Sequence, residues 1–113
     1  AYYNRGIGKS KLNDYEGAIA DFTKVININP KHAEAYYNRG TVIGKSKLND
    51  HEGAIADFTK AIKINPKYVE AYMNRSVKKE ELGDLKGACF DARKVVAMGY
   101  REGENKQWIR ENC

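Results

Sequence analysis

Apolar residues recur along this chain at helical intervals, in segments that come in pairs. Over residues 15–28, Ala18, Ile19, Phe22, Val25 and Ile26 fall at i, i+1, i+4, i+7 and i+8. That spacing lays one apolar stripe along one face of a helix. Equivalent segments follow over residues 51–64 and 85–98. Each is preceded by another helical segment, over residues 1–12, 35–48 and 69–82. The two members of a pair are joined by Asn13-Asp14, Asn49-Asp50 or Gly83-Asp84. These are turn formers, and the Asp stands where the next helix needs an N-cap. Asn29-Pro30 and Asn65-Pro66 end the first two pairs. A residue before proline is pushed out of the α region, and proline suits the first turn of a new helix. Gly99-Tyr100 ends the third pair with a glycine C-cap and no proline. The pattern predicts an all-α chain of three helix-turn-helix hairpins.

The hairpins are copies of one another. Residues 16–24 (EGAIADFTK) recur letter for letter at 52–60, and a degraded copy (KGACFDARK) stands at 86–94. Tyr2-Tyr3-Asn4-Arg5-Gly6 returns as Tyr36-Tyr37-Asn38-Arg39-Gly40 and loosely as Tyr72-Met73-Asn74-Arg75-Ser76. The steps between copies are 34 and 36 residues, a period that signals stacked supersecondary units. The expected organisation is a first unit over 1–34, truncated at its N-terminal side, a second over 35–68, a third over 69–100 and a capping helix over 101–113. The cap follows from the need of a repeat array to cover its last exposed seam. Trp108, with Ile109 and Cys113 beside it, is the expected anchor.

Unit two carries two extra residues, because Thr41–Lys47 stands where unit one has Ile7–Lys11. Two residues inside a continuous helix rotate everything beyond by about 200°. The first helix is expected to stay in phase through Ile43, with the surplus in a lengthened or bulged segment around residues 44–49. A longer first helix and a hairpin that opens to exchange with another chain are the alternatives.

Composition adds limits. The chain has 113 residues, 42% apolar and 31% charged, and no run reaches the roughly 18 apolar residues of a membrane span. The net charge of +5 permits an acidic partner. Two cysteines are too few for a disulfide framework. Cys89 takes the place of Ile19 and Ile55 and reads as a small buried hydrophobe, and Cys113 as a mobile terminal residue. Catalytic, cofactor and metal sites are not predicted. His32 and His51 have no repeating partners, Gly6-x-Gly8-Lys9-Ser10 lacks the spacing of a phosphate loop, and no His-Glu-x-x-His is present. Lys9, Lys11, Lys45, Lys47, Lys78 and Lys79 gather near the ends of first helices, where cations complement the helix dipole.

These residues resemble the tetratricopeptide repeat (TPR) family, whose pattern sets an aromatic, a larger residue with Gly, then Ala, Phe and Pro in each unit. Unit one offers Tyr2, Arg5-Gly6, Ala18, Phe22 and Pro30; unit two Tyr36, Arg39-Gly40, Ala54, Phe58 and Pro66; unit three Tyr72, Arg75-Ser76, Ala88 and Ala92 without the proline. The resemblance covers residues 1–100. It implies a right-handed superhelix whose first helices line a concave groove, and a non-enzymatic scaffold that binds proteins or peptides. Arg5, Arg39 and Arg75 depart from the family's usual leucine. With Asp21, Asp57 and Asp91 recurring in the second helices, each Arg is expected to pair with an Asp across its hairpin or with the next unit.

On this reading the groove wall is Tyr3, Asn4 and Ile7, then Tyr37, Asn38 and Thr41, then Met73, Asn74 and Val77. Its asparagines would form a ladder of amides able to satisfy an extended peptide backbone, or would bond to neighbouring helices instead. The family's clamp for chaperone-tail carboxylates needs a Lys and an Asn where this chain has Tyr3 and Ile7, and a Lys and an Arg where it has Glu70 and Asn74, and only Asn38 fits. A chaperone-tail adaptor is therefore not expected. Self-association, by swapping or end-to-end stacking, and binding of RNA or an acidic tail are the alternative functions.

Overall fold

The computed structural model describes residues 1–46, 50–100 and 102–113. Among them are seven helices and no strand: α1 (Tyr2–Lys11), α2 (Tyr15–Ile28), α3 (Ala33–Lys45), α4 (His51–Ile64), α5 (Val69–Glu81), α6 (Leu85–Ala97) and α7 (Glu102–Asn112). The starts of α2, α4 and α6 are alike: Asp14, Asp50 and Asp84 each accept a hydrogen bond from the backbone N–H three residues on, at 3.1, 2.9 and 2.9 Å. This satisfies one of the donors that a helix start leaves open. Before each proline, Asn29 and Asn65 take extended backbone angles and end their helices. His32 begins α3 by accepting from the Ala35 N–H through Nδ1 at 3.1 Å.

Helices α1/α2, α3/α4 and α5/α6 pack as hairpins, and α2 packs on α3 and α4 on α5 to stack them. Helix α1 also touches α3, and α3 touches α5, whereas α2, α4 and α6 make no such contact with one another among the described residues. The first helices therefore crowd together on the inner side of the stack and the second helices fan out behind them. Phe22 and Phe58, each 1% exposed, fill the first two hairpins, and each contributes about 2–3 kcal/mol of burial.

Close approach within a hairpin depends on the small residue of the first helix. A Cβ at Gly6 would lie 2.8 Å from the Phe22 ring, and one at Gly40 would lie 3.0 Å from both Phe58 and Asp57. The third hairpin admits Ser76 because Ala92 faces it in place of phenylalanine, and the Ser76 hydroxyl donates to the Ala88 carbonyl at 3.0 Å.

The Arg–Asp expectation is met inside every hairpin. Arg5, Arg39 and Arg75 each donate two hydrogen bonds, all of 2.7–2.9 Å, to Asp21, Asp57 and Asp91 respectively. Each guanidinium also lies over a tyrosine ring three residues back, Tyr2, Tyr36 or Tyr72, at 5.1, 5.6 and 5.4 Å from its centroid. A link absent from the expectation joins the units: Arg39 donates to the Thr23 hydroxyl at 3.2 Å and Arg75 to the Thr59 hydroxyl at 3.1 Å.

Helices α1, α3 and α5 all stop equally far beyond Gly6, Gly40 and Ser76. The first helix of unit two is therefore not lengthened, and it keeps its phase through Lys45, with Val42 buried and Ile43 packed against the core. Of the expected lengthened segment at 44–49, Gly44 and Lys45 still belong to α3, and residues 47–49 lie outside the described residues.

Two cysteine expectations need correction. Cys89 and Cys113 are joined in a disulfide, with Cα atoms 6.1 Å apart. Cys89 is buried as expected, but as a bonded residue, and Cys113 is tied to α6 rather than loose. The bond became possible because α7 packs against α6 and brings the chain end over the Cys89 turn, a path that a one-turn pattern of apolar residues does not reveal.

Candidate functional site

The inner side of the stack is where the expected groove residues come together. Tyr3, Ile7, Tyr37, Asn38, Thr41, Met73 and Asn74 are half-buried, and Asn4 and Val77 are exposed. The tyrosines are backed by core rings: Tyr3 lies 6.0 Å from Phe22 and 4.9 Å from His32, and Tyr37 lies 5.7 Å from Phe58 and 5.0 Å from Tyr68. Tyrosine thus serves as wall and core at once.

The asparagine row is tied from unit to unit. Asn38 donates from its amide nitrogen to the Tyr3 hydroxyl at 2.9 Å, and Asn74 to the Tyr37 hydroxyl at 2.8 Å. Of the two uses considered for these amides, bonding to the neighbouring first helix is present for both. Each such bond uses one amide hydrogen, and an amide carries a second hydrogen and a carbonyl oxygen besides. Thr41 instead donates back to the Tyr37 carbonyl at 3.0 Å within its own helix.

Burial raises the Tyr3, Tyr37 and Tyr68 phenols above their ordinary value, and the negative charges of Glu34 and Glu70 add to this. These hydroxyls therefore stay protonated at neutral pH, and those of Tyr3 and Tyr37 accept from Asn38 and Asn74 while keeping a proton to donate. Within the first hairpin, the two bonds from Arg5 and a contact with Lys9 hold the buried Asp21 carboxyl down at about 2.

Two hollows open along the wall. One of about 170 Å³ is lined by Ile7, Asn38 and Thr41 with Phe22 and Val42 behind them. The other, of about 250 Å³, is lined by Met73, Asn74 and Val77 together with Ala92, Val95 and Trp108. The second is a feature that sequence reasoning missed. Its signal was present, since Ala92 stands where the earlier copies have phenylalanine.

Several lysines near the first-helix ends are already engaged. Lys9 lies 3.3 Å from Asp21, Lys79 lies 3.3 Å from Asp91, and Lys78 lies 3.3 Å from Glu81. Lys47 lies outside the described residues. No three His, Cys, Asp or Glu side chains converge as a metal site among the described residues. Among the described residues no helix is long and apolar enough to cross a membrane.

Family models match the chain twice, one described as TPR repeat over residues 10–46 and one as tetratricopeptide repeat over 33–68. Comparison with curated protein sequences finds no match. Among solved structures, the second TPR of Spaghetti (RPAP3) bound to the HSP90 peptide SRMEEVD is 30% identical, with a TM-score of 0.81 over 86% of this chain and 88% of that one. The Arabidopsis OM64 TPR domain is 27% identical, with a TM-score of 0.85 over 97% and 89%. The second TPR domain of human RPAP3, in complex with the HSP70 peptide SGPTIEEVD, is 26% identical, with a TM-score of 0.85 over 97% and 90%. The repeated pattern, the stacked hairpins and these matches place the chain in the tetratricopeptide repeat family.

Proposed function

We propose that this chain is a non-catalytic scaffold that holds an extended peptide against the inner wall formed by α1, α3 and α5. The site comprises Tyr3, Asn4, Ile7, Tyr37, Asn38, Thr41, Met73, Asn74 and Val77. The observation that carries the reading is the pair of bonds from Asn38 to Tyr3 and from Asn74 to Tyr37. They fix amide and phenol groups in a row at the spacing of the repeat, on a half-buried surface. A preorganised row of this kind loses little side-chain freedom when a peptide is captured.

Two similar structures hold peptides that end in EEVD, a strongly acidic tail. This chain has Tyr3, Ile7, Glu70 and Asn74 at the places a carboxylate clamp would use, and Glu70 would repel such a tail. The peptide favoured is therefore internal and neutral along its contact face rather than a free acidic C-terminus. Pairing of Lys9, Lys78 and Lys79 with carboxylates weakens the case for nucleic acid. End-to-end stacking of copies is disfavoured because α7 packs on α6 and Arg93 occupies the place of Thr23 and Thr59.

The test is capture of pooled capped nonapeptides of random sequence, N-acetylated and C-amidated, by the immobilised protein. Tyr37→Ala and Asn38→Ala are each expected to reduce capture at least tenfold while circular dichroism keeps its helical signal. Unaltered capture by both variants would place binding elsewhere.

A further inference from the structure

The third hairpin lacks the ring that fills the other two. Phe22 and Phe58 lie directly beneath Gly6 and Gly40, and Ala92 holds that place beneath Ser76. Ser76 regains one hydrogen bond, to the Ala88 carbonyl at 3.0 Å, but not the volume of a phenyl group. The result is the hollow of about 250 Å³, open beside Met73, Asn74 and Val77 on the groove and walled on its far side by Trp108 of α7.

We propose that this hollow takes one uncharged apolar side chain of ring size from the groove-bound peptide, and that the Cys89–Cys113 disulfide holds its Trp108 wall in place. The inference rests on the groove reading and adds to it the chemistry of one subsite and its control.

The occupant follows from what surrounds it. Carbon surfaces of Met73, Val77, Ala92, Val95 and Trp108 favour an apolar group. Glu80 is the one charged residue among those lining the hollow, so an aspartate, a glutamate or a terminal carboxylate would be repelled. A ring entering from the groove would restore the packing that Phe22 and Phe58 provide from within, and filling a void of this kind regains the dispersion contacts its lining lacks.

The wall needs the disulfide because α7 is weakly held otherwise. It packs only on α6 among the described helices, and its described side chains include none that is fully buried. Trp108 and Ile109 are half-buried. The Trp108 carbonyl accepts from the Asn112 side chain at 2.9 Å, one residue short of Cys113, so the tether acts within about a turn and a half of the wall. Cys113 is exposed and Cys89 is 5% exposed, so a small dithiol meets Cys113 first. Its thiolate attacks the Cys113 sulfur, and Cys89 leaves as a thiolate and takes up a proton. The second sulfur of the dithiol then closes its own disulfide and releases the Cys113 thiol. Two electrons and two protons pass to the protein.

The experiment uses capped nonapeptide pools, random except at a central position fixed as Phe, Leu, Ser or Asp. Each pool is offered to the oxidised protein, to the protein reduced with dithiothreitol, and to the Cys113→Ser and Ala92→Phe variants. Trp108, the only tryptophan, reports occupancy by its fluorescence. The expected result is at least tenfold preference for the Phe over the Ser and Asp pools by the oxidised protein, with a change in Trp108 emission. That preference should fall below twofold on reduction, in Cys113→Ser, and in Ala92→Phe, whose own ring fills the hollow. Equal capture of all pools by the oxidised protein, or an undiminished Phe preference in Ala92→Phe, overturns the subsite while leaving the groove reading intact. A Phe preference that survives both reduction and Cys113→Ser overturns the role of the disulfide. Failure to capture any pool overturns the groove reading and this inference with it.

Discussion

Arg75 clasps Asp91 through two parallel hydrogen bonds of 2.8 and 2.7 Å, with Asp91 wholly buried and Arg75 9% exposed. A bidentate pair of this kind is directional, and its two members are worth most together. Removing Arg75 leaves Asp91 buried with Lys79 at 3.3 Å but without the two-bond clasp, and breaking a buried pair costs about 3–5 kcal/mol. Arg75→Ala is therefore expected to lower the urea unfolding free energy by about that amount. Arg75→Leu combined with Asp91→Leu should recover most of the loss, because an apolar pair of similar volume leaves no stranded charge. Equal instability of the single and double variants would show that the pair contributes packing rather than charge compensation.

Asp21 is itself buried, at 1% exposed, but the Arg5 side chain that clasps it is 52% exposed. The bonds from Arg5, then the one from Lys9, lower its folded-state value from 3.8 to about 2. The folded value lies below the unfolded one, so the stabilisation is complete above the unfolded value of about 4 and is lost as pH falls through about 2. The urea midpoint of the native chain should exceed that of Asp21→Asn at pH 5, and the gap should narrow progressively from pH 4 to pH 2. A gap that stays constant over this interval would remove Asp21 from the acid transition.

Gly40 stands where a methyl group has no room. An added Cβ would meet Asp57 Cβ and the Phe58 ring at 3.0 Å and the Ala54 carbonyl at 3.1 Å. Overpacking at such a point costs about 1–3 kcal/mol. Gly40→Ala should destabilise by that amount despite alanine's better helix propensity. Ser76→Ala in the third hairpin loses only the bond to Ala88, at about 1 kcal/mol. Thermal and urea unfolding of the two variants side by side would check the contrast.

The disulfide closes a loop across a sequence separation of 24 residues. The chain-entropy model gives about 3 kcal/mol of stabilisation for a loop of that order. Reduction should show this loss in the transition that includes α7, and amide exchange should speed first in α7 while α3 and α4 stay protected. Uniform acceleration across all helices would mean that the bond supports the whole array instead.

The repeat, the hairpins and the Arg–Asp pairs were legible in the sequence because each is local or periodic. Letter-for-letter recurrence of EGAIADFTK fixes equivalent positions, and an Arg and an Asp that recur in step must meet in equivalent places. The Thr23 and Thr59 contacts were harder to read, since a threonine on a helix surface has many plausible partners. The Cys89–Cys113 bond depends on the course of a tail that matches no repeat, so periodicity could not place it. The hollow under Ser76 was visible only as a missing phenylalanine at Ala92. Reading it required knowing that the neighbouring α7 leaves that volume open rather than collapsing onto it. Among the groove residues, the pattern identified a common face, but the Asn–Tyr bonds depend on how far one unit is displaced from the next.

The threonine contacts give the stack an arrow. Arg39 and Arg75 each reach back to the hairpin before them. The Arg side chains are accordingly 52%, 21% and 11% exposed from first to third. Hairpins laid this way overlap like roof tiles: lifting one bares the clasp of the tile that follows and leaves the tile before it dry.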